Sequence, residues 1–448
     1  MELLKQVAQA GVVGCGGAGF PTHAKLGCVV EYLIVNGAEC EPLLRTDRWL
    51  MRHKAAELVA AAELVAQHVG ASRTLIALKE TYSQEIAALE QAGASASSRV
   101  ELFKMKNFYP AGDEQIMVLN ITGRTVPPGG IPLDVGAVVT NAATLYSVGQ
   151  ATQGKAFTHK YLTVTGEVVK PVVVYTPIGT SFADCIQAAG GALLADYRVV
   201  SGGPLMGRLL TKEQAAQEVV TKTTSGILLI PADCALVKRR EVPLRSILRR
   251  AKSVCIQCSD CTQLCPRYLS GHPLEPHKIM RKLAYAEDIS AILDDEAVRQ
   301  AQICCECGVC EVLACPMELH PRQVNAFLKG ELGRSGVYYQ KGLEPHKREE
   351  MDWRRVPSKQ LAQRLGVGKY YDYHIDRLAE LAPDRVTIPL KQHLGAPARA
   401  VVEQGQTVTC GQLIGAAPVE GLGANVHASI SGVVTGIGDQ IMIKGGRS

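Results

Sequence analysis

The sequence lacks an apolar run long enough to span a bilayer, and its opening residues, Met1-Glu2-Leu3-Leu4-Lys5-Gln6, hold no charged segment feeding a long apolar stretch. These absences predict a soluble, cytoplasmic protein with no membrane span. Also missing is any basic stripe interleaved with aromatics, and a net charge of +5 over 448 residues is too dilute to grip a polyanion. Nucleic acid is thereby excluded as a partner. No Gly-Lys-Ser/Thr follows the glycine-rich segment that starts near residue 14, which removes the P-loop class of phosphate site. What remains is a globular composition, 47% hydrophobic and 20% charged, in a chain long enough for three or four domains.

Cysteine is abundant, and eight of the fifteen fall into two runs: Cys255-x2-Cys258-x2-Cys261-x3-Cys265-Pro266 and Cys304-x2-Cys307-x2-Cys310-x4-Cys315-Pro316. A structural zinc site takes four ligands, commonly as two separated Cys-x2-Cys pairs, and suits neither run. A disulfide framework belongs to short secreted chains. Three thiolates on one turn with a fourth before proline is the spacing that holds a [4Fe–4S] cluster, and two such runs imply two clusters and electron transfer. In bacterial two-cluster ferredoxins the fourth cysteine of each run serves the other cluster. By that rule Cys255, Cys258, Cys261 and Cys315 hold one cluster, and Cys304, Cys307, Cys310 and Cys265 hold the other. Cys305 competes with Cys304, which keeps the x2 spacing. The other spare cysteines, Cys15, Cys28, Cys40, Cys185, Cys234 and Cys410, read as reduced thiols. Residues 266–303 are too many for the loop of a compact ferredoxin and carry helical periodicity over His277–Glu287 and Ile289–Ile303, with Asp288 as N-cap, so a helical ferredoxin domain is expected.

Near the N-terminus, Gly14, Gly16, Gly17 and Gly19 form a loop whose amides can approach a phosphate without Cβ obstruction. No apolar strand precedes it, so it is not a Rossmann fingerprint. Shortly after it the apolar strand Tyr32-Leu33-Ile34-Val35 runs into Asn36-Gly37-Ala38-Glu39-Cys40-Glu41-Pro42, and strand ends of this kind carry the ligand sites of α/β sheets. A hydride carries two electrons and a cluster takes one, so a cofactor able to divide the pair, such as a flavin, fits between them.

The Gly-x-Gly-Gly-x-Gly-Phe-Pro-Thr-x-x-Lys pattern at 14–25, the segment 36–42 and Thr140-Asn141-Ala142-Ala143-Thr144 together resemble the flavin-binding subunit of respiratory complex I and its relative in the Rnf complex. That resemblance implies an α/β domain that binds FMN and takes hydride from NADH. It places Gly14, Gly16, Gly17, Gly19 and Lys25 along the FMN site, with Asn36 and Asn141 holding the cofactor. It makes Glu39 and Glu41 the catalytic carboxylates near flavin and nicotinamide; the plainer alternative for either is a solvated carboxylate. Tyr109–Glu114 resembles a family loop facing the flavin.

Further along, short strands at Tyr161–Val168 and Pro171–Tyr175 and a helix near Ser181–Ala189 resemble the β-grasp (SLBB) module of the same family, for which a corrinoid contact and a purely structural spacer both stand. From Pro383 short strands, among them Val401–Val408, alternate with glycine turns in the manner of a barrel-sandwich hybrid. The hairpin Asn425-Val426-His427 has no lysine for covalent loading. The expected multidomain α/β organisation is 1–155 (FMN/NADH), 156–235 (β-grasp), 240–335 (two clusters), 336–382 (connector) and 383–448 (barrel-sandwich hybrid). With the barrel placed last, the order resembles the PduS family of corrinoid reductases from propanediol-utilisation microcompartments. This implies NADH as donor, cobalamin as substrate, and an adenosyltransferase and shell proteins as partners. An Rnf-type electron-transfer component with another acceptor and a non-catalytic microcompartment component are the alternatives.

Overall fold

The structure is a computed structural model that describes residues 2–340, 342 and 344–446. The N-terminal domain is built on four parallel strands, β1 (Tyr32–Asn36), β2 (Arg73–Lys79), β3 (Glu101–Met105) and β4 (Ala137–Asn141), in the order β3-β2-β1-β4. Strand β1 is apolar up to its last residue, Asn36, because both of its faces are covered. Leu33 and Val35 join the core formed with the helices Ala55–Val69 and Ala142–Thr152, while Tyr32 and Ile34 pack on the other side with helix Glu114–Thr122. After β3 the chain returns to the far side of β1, so β1 and β4 flank the topological switch point, where sheets of this class open a crevice for ligands.

The second domain is a mixed six-stranded sheet of β5 (His159–Gly166), β6 (Val172–Pro177), β7 (Tyr197–Ser201), β8 (Arg208–Leu210), β9 (Gly226–Pro231) and β10 (Leu378–Glu380), ordered β10-β6-β5-β9-β7-β8. Its helix Phe182–Ala188 starts where Ser181 Oγ accepts the Asp184 amide. Strand β10 comes from the expected connector and pairs with β6, so that segment is stitched into this sheet. The C-terminal region packs two small sheets, of four and three strands, over Val386, Ile388, Ile414, Val434 and Ile441.

Between these lies a helical domain in which helices Leu244–Val254, Pro276–Tyr285 and Pro321–Arg334 share one core. Two local expectations fail. Ile289–Ile303 is not one helix: a 3-10 turn spans Ser290–Ile292, Asp295 caps a short helix at Glu296–Arg299, and a second 3-10 turn covers Gln300–Ile303. Asp288 accepts the Ser290 hydroxyl at 2.5 Å instead of capping, and the Asp294-Asp295 pair supplies the competing start. Likewise Val401–Val408 is broken by a turn in which Gln406 Oε1 accepts the Glu403 amide and Gly405 takes φ +88°, leaving a two-residue strand at Thr407–Val408.

The domains meet around Lys222, whose buried ammonium donates to the Gly11 carbonyl at 2.7 Å and the Asn425 carbonyl at 2.5 Å. One side chain thus joins the flavin-type domain, the second sheet and the C-terminal sheets.

Candidate active site

The glycine loop is pinched shut at its neck. The Gly14 amide donates to Phe20 O and the Thr22 amide to Val12 O, which pushes residues 15–19 out over the ends of β1 and β4. Side chains at these glycines would meet different things. A Cβ at Gly17 would have nothing within 4 Å and would stand in open space, and one at Gly16 would crowd Asn141 at 3.2 Å. Gly19 differs: it sits at φ +72°, and a Cβ there would come 2.7 Å from Thr223 and 3.1 Å from His393, so it seats the loop against the neighbouring domains.

Under the loop is a cavity of about 500 Å³, bordered by Gly14, Gly16, Gly17, Gly19, Lys25, Asn36 and Asn141. All seven residues expected to contact the cofactor therefore meet in one place. The volume suits an organic cofactor, and the glycine wall leaves backbone amides uncovered for an anionic group. Asn36 Nδ2 donates to Gly112 O at 2.8 Å, and Asn141 uses Oδ1 to cap the helix that follows β4 while Nδ2 donates to Asp47 Oδ2 at 2.7 Å. Lys25 pairs with Glu114 at 2.6 Å on the rim.

A smaller chamber of about 200 Å³ continues inward, sharing Gly16, Asn36, Gly112 and Asn141 with the first. Glu39 and Glu41 lie in it, but they are not solvated carboxylates. Glu39 accepts the Asp47 and Arg48 amides at 3.0 and 3.3 Å, at the start of helix Thr46–His53. Burial, with Asp47 beside it, pushes its pKa up to about 7, and burial raises Asp47 to about 6. Glu41 accepts the Leu205 and Met206 amides at 2.9 and 2.6 Å, and burial carries it to about 7 against the pull of those bonds. A Cβ at Gly203 would fall 2.3 Å from Glu41, so Gly203 keeps that approach open.

The cysteines separate into two rings. Cys255, Cys258, Cys261 and Cys315 line one small cavity; Cys265, Cys304, Cys307 and Cys310, with Cys305, line another. The fourth cysteine of each run therefore sits with the other run's triplet. Among the described residues no three such side chains converge on a point that would hold a single ion, and each cysteine set instead surrounds a space. Burial pushes the Cys261 thiol up to about 12 and Cys265 and Cys310 well above the ordinary range. Buried thiolates in such sites need compensating positive charge, which iron supplies. The donor sets fit iron–sulfur clusters.

The second ring backs directly onto the inner chamber, because Cys305 and Cys307 border both. Tyr109 Oη donates to the Cys307 carbonyl at 2.8 Å, and Arg267 forms two parallel bonds to Asp113, at 2.7 and 2.8 Å. Arg267 follows Cys265-Pro266 in sequence, and Asp113 caps helix Glu114–Thr122, so this buried pair fastens the cysteine domain to the flavin-type loop. Among the flanking histidines, His272 bonds Val126 O across the domain boundary, His277 bonds Thr262, and His320 lies buried 4.0 Å from Glu311. Sequence reasoning missed Asp47, Arg267 and Lys160, the last of which borders the inner chamber. Asp47 and Lys160 sit in an ordinary helix start and strand, and for Arg267 only its position beside Cys-Pro was a signal.

Comparison with known proteins matches four stretches of the chain to family models. Residues 7–150 match the Nuo51 FMN-binding domain, 161–209 the SLBB domain, 254–320 a 4Fe-4S dicluster domain and 374–448 the RnfC barrel sandwich hybrid domain. FMN and 4Fe–4S clusters are therefore the cofactors of this electron-transferring oxidoreductase. Two relatives called cobalamin reductase PduS match nearly end to end. That of Salmonella typhimurium is 40% identical over 98% of this chain and 95% of its own, and that of Citrobacter freundii is 39% identical over 97% and 94%. A component of the Na(+)-translocating ferredoxin:NAD(+) oxidoreductase complex of Acetobacterium woodii is 35% identical over 59% of this chain and 58% of its own. With four domain matches in one order and two relatives covering almost its whole length, the chain belongs to the PduS family.

Proposed function

We propose that the protein is an NADH-dependent reductase of cob(III)alamin and cob(II)alamin, with hydride entering at the glycine-loop cavity and single electrons leaving by way of the two cysteine rings. The observation that carries this reading is the wall formed by Cys305 and Cys307, which joins the inner chamber behind the glycine-loop cavity to the internal ring. A bound FMN would supply the means of dividing an electron pair into single electrons, as clusters that take one each require. Gly14, Gly16, Gly17 and Lys25 hold the flavin, Gly19 seats the loop, and Asn36 and Asn141 fix its position. Glu39, raised by burial to about 7, can take or give a proton near neutral pH beside the chamber, where a proton must accompany electron-pair chemistry, with Asp47 next to it. Glu41, bound to backbone amides of the second sheet, acts as a positioning residue. Cys255, Cys258, Cys261 and Cys315 ligate one cluster and Cys265, Cys304, Cys307 and Cys310 the other.

The proposed division of the chain is 1–155, 156–235, 240–335, 336–382 and 383–448, with strand β10 of the fourth segment completing the second sheet. No helix among the described residues is long and apolar enough to cross a membrane. An adenosyltransferase that consumes the reduced corrinoid and the shell proteins of a microcompartment are the proposed partners. The test is anaerobic turnover with NADH and aquacobalamin. The reading expects cobalt reduction, and reduction of an artificial dye without reduction of cobalt would assign the chain to a different acceptor.

A further inference from the structure

The ring of Cys255, Cys258, Cys261 and Cys315 surrounds a space of only about 20 Å³, too small to admit an organic acceptor. At its outer edge Cys258 and Gln257 are exposed, and Ile256 between the cysteines is 60% exposed. An acceptor of electrons from this ring must be held against that edge from outside.

The edge is cationic. Helix Leu244–Val254 runs directly into Cys255 and carries Arg249, Arg250 and Lys252, all exposed, in its last two turns. Arg250 donates at 3.1 Å to the carbonyl of Met317, which lines the ring. Helix Pro276–Tyr285 packs on the first helix and brings the exposed Arg281 within electrostatic reach of His277, another lining residue. Lys252 donates to the Ala286 carbonyl at the end of that second helix. The neighbouring acids are largely taken up: Glu275 pairs with Lys278, Asp295 with Lys282 and Glu318 with Arg239. Among the described residues Arg249, Arg250, Lys252 and Arg281 have no carboxylate partner, and bonds to neutral carbonyls leave the charges of Arg250 and Lys252 uncancelled. Asp260 and Glu287 are the acids left unpaired nearby.

Scattered cations alone would be an ordinary solvated helix face. Large apolar side chains stand among these: besides Ile256, Tyr285 is 79% exposed beside Ala286. Arginine with exposed aromatic and aliphatic groups is the composition of a protein contact, and a rim of one sign steers a partner of the other.

We propose that this edge is the docking face for an electron-accepting protein with an acidic surface. The inference rests on the reading that single electrons leave by the surface ring, and it adds that the corrinoid reaches the ring bound to that protein. Free aquacobalamin is a cation near neutral pH, and the rim repels it.

The test follows anaerobic NADH-driven reduction of two haem proteins by the holoprotein, acidic cytochrome b5 and basic cytochrome c, as ionic strength rises from about 10 to about 300 mM. It is repeated on the double variants Arg249→Glu with Arg281→Glu and Arg249→Lys with Arg281→Lys. In the wild type, cytochrome b5 reduction should slow at least ~10-fold over this range, while cytochrome c reduction should not slow. At low salt the glutamate variant should reduce cytochrome b5 at least ~10-fold more slowly, with FMN content, iron content and reduction of a neutral quinone dye unchanged. The lysine variant, which keeps both charges, should behave as the wild type does. The proposal is overturned if cytochrome b5 reduction is insensitive to salt, if the glutamate variant reduces it at the wild-type rate, or if that variant slows both haem proteins alike. Reduction of free aquacobalamin is followed in parallel. Its absence alongside salt-sensitive reduction of cytochrome b5 would count against the acceptor reading and leave the docking face standing.

Discussion

The two cysteine rings share a ligand pattern but not an environment. The ring of Cys255, Cys258, Cys261 and Cys315 reaches the surface: Cys258 is exposed and its neighbour Ile256 is 60% exposed. The ring of Cys265, Cys304, Cys307 and Cys310 is internal, walled by the inner chamber on one side and held by Tyr109 and the Arg267–Asp113 pair. On the proposed reading, position gives the order: the internal ring would receive electrons next to the flavin site, and the surface ring would pass them out. The crossed fourth cysteines, Cys265 and Cys315, keep the two rings adjacent, as each run must reach from one site to the other.

This asymmetry predicts unequal responses. The largest effect should come from Cys310→Ala in the internal ring, which should lower NADH-driven cobalamin reduction more than ~100-fold, about 2.7 kcal/mol in barrier terms, while FMN content stays normal. Comparable turnover in this variant and the wild type would break the assigned order. Next, Arg267→Met leaves Asp113 buried without its partner, at a cost of about 3–5 kcal/mol. Thermal unfolding of the holoprotein should start earlier in this variant, whereas removing one partner of the exposed Arg73–Glu101 pair should change stability by less than ~1 kcal/mol.

A smaller effect concerns pH. Glu39 and Asp47 have folded-state pKa values raised to about 7 and about 6, so between the unfolded values and these the folded state holds more protons than the unfolded one. Stability of the flavin-depleted protein should fall as pH rises from about 4 through 7 and level off above that. Glu39→Gln with Asp47→Asn should flatten the curve, measured by chemical denaturation at stepped pH. Least affected of all should be Cys305→Ser: with Cys304 in the ring, the variant should keep about eight irons per chain. Loss of half the iron would make Cys305 the ligand and move the internal ring closer to the flavin chamber.

Much of this was legible in the sequence, for reasons that differ by region. The cysteine runs could be read because ligand spacing is local, and the glycine loop because backbone access to a phosphate demands glycine at fixed positions. Strand β1 was legible because an apolar run ending in Asn36 is what a buried parallel strand at a switch point requires. Long-range partners were not. That Glu41 would be taken up by the Leu205 and Met206 amides, that Asp47 would approach Asn141, and that Arg267 would lock onto Asp113 depend on tertiary packing between segments far apart in the chain. The Ile289–Ile303 helix failed because apolar periodicity carried across Asp294-Asp295, where local capping chemistry prevails. Gly19, which the family resemblance places on the flavin site, does border the cavity, and nothing in the sequence signalled that a side chain there would also collide with Thr223 and His393 of neighbouring segments.

The central claim, that electrons reach the surface ring through the internal one, is tested most directly by freeze-quenched electron paramagnetic resonance of the Cys310→Ala variant mixed anaerobically with NADH. The account predicts that the surface cluster stays oxidised with NADH yet is reduced by dithionite. Reduction of the surface cluster by NADH at the wild-type rate would contradict it.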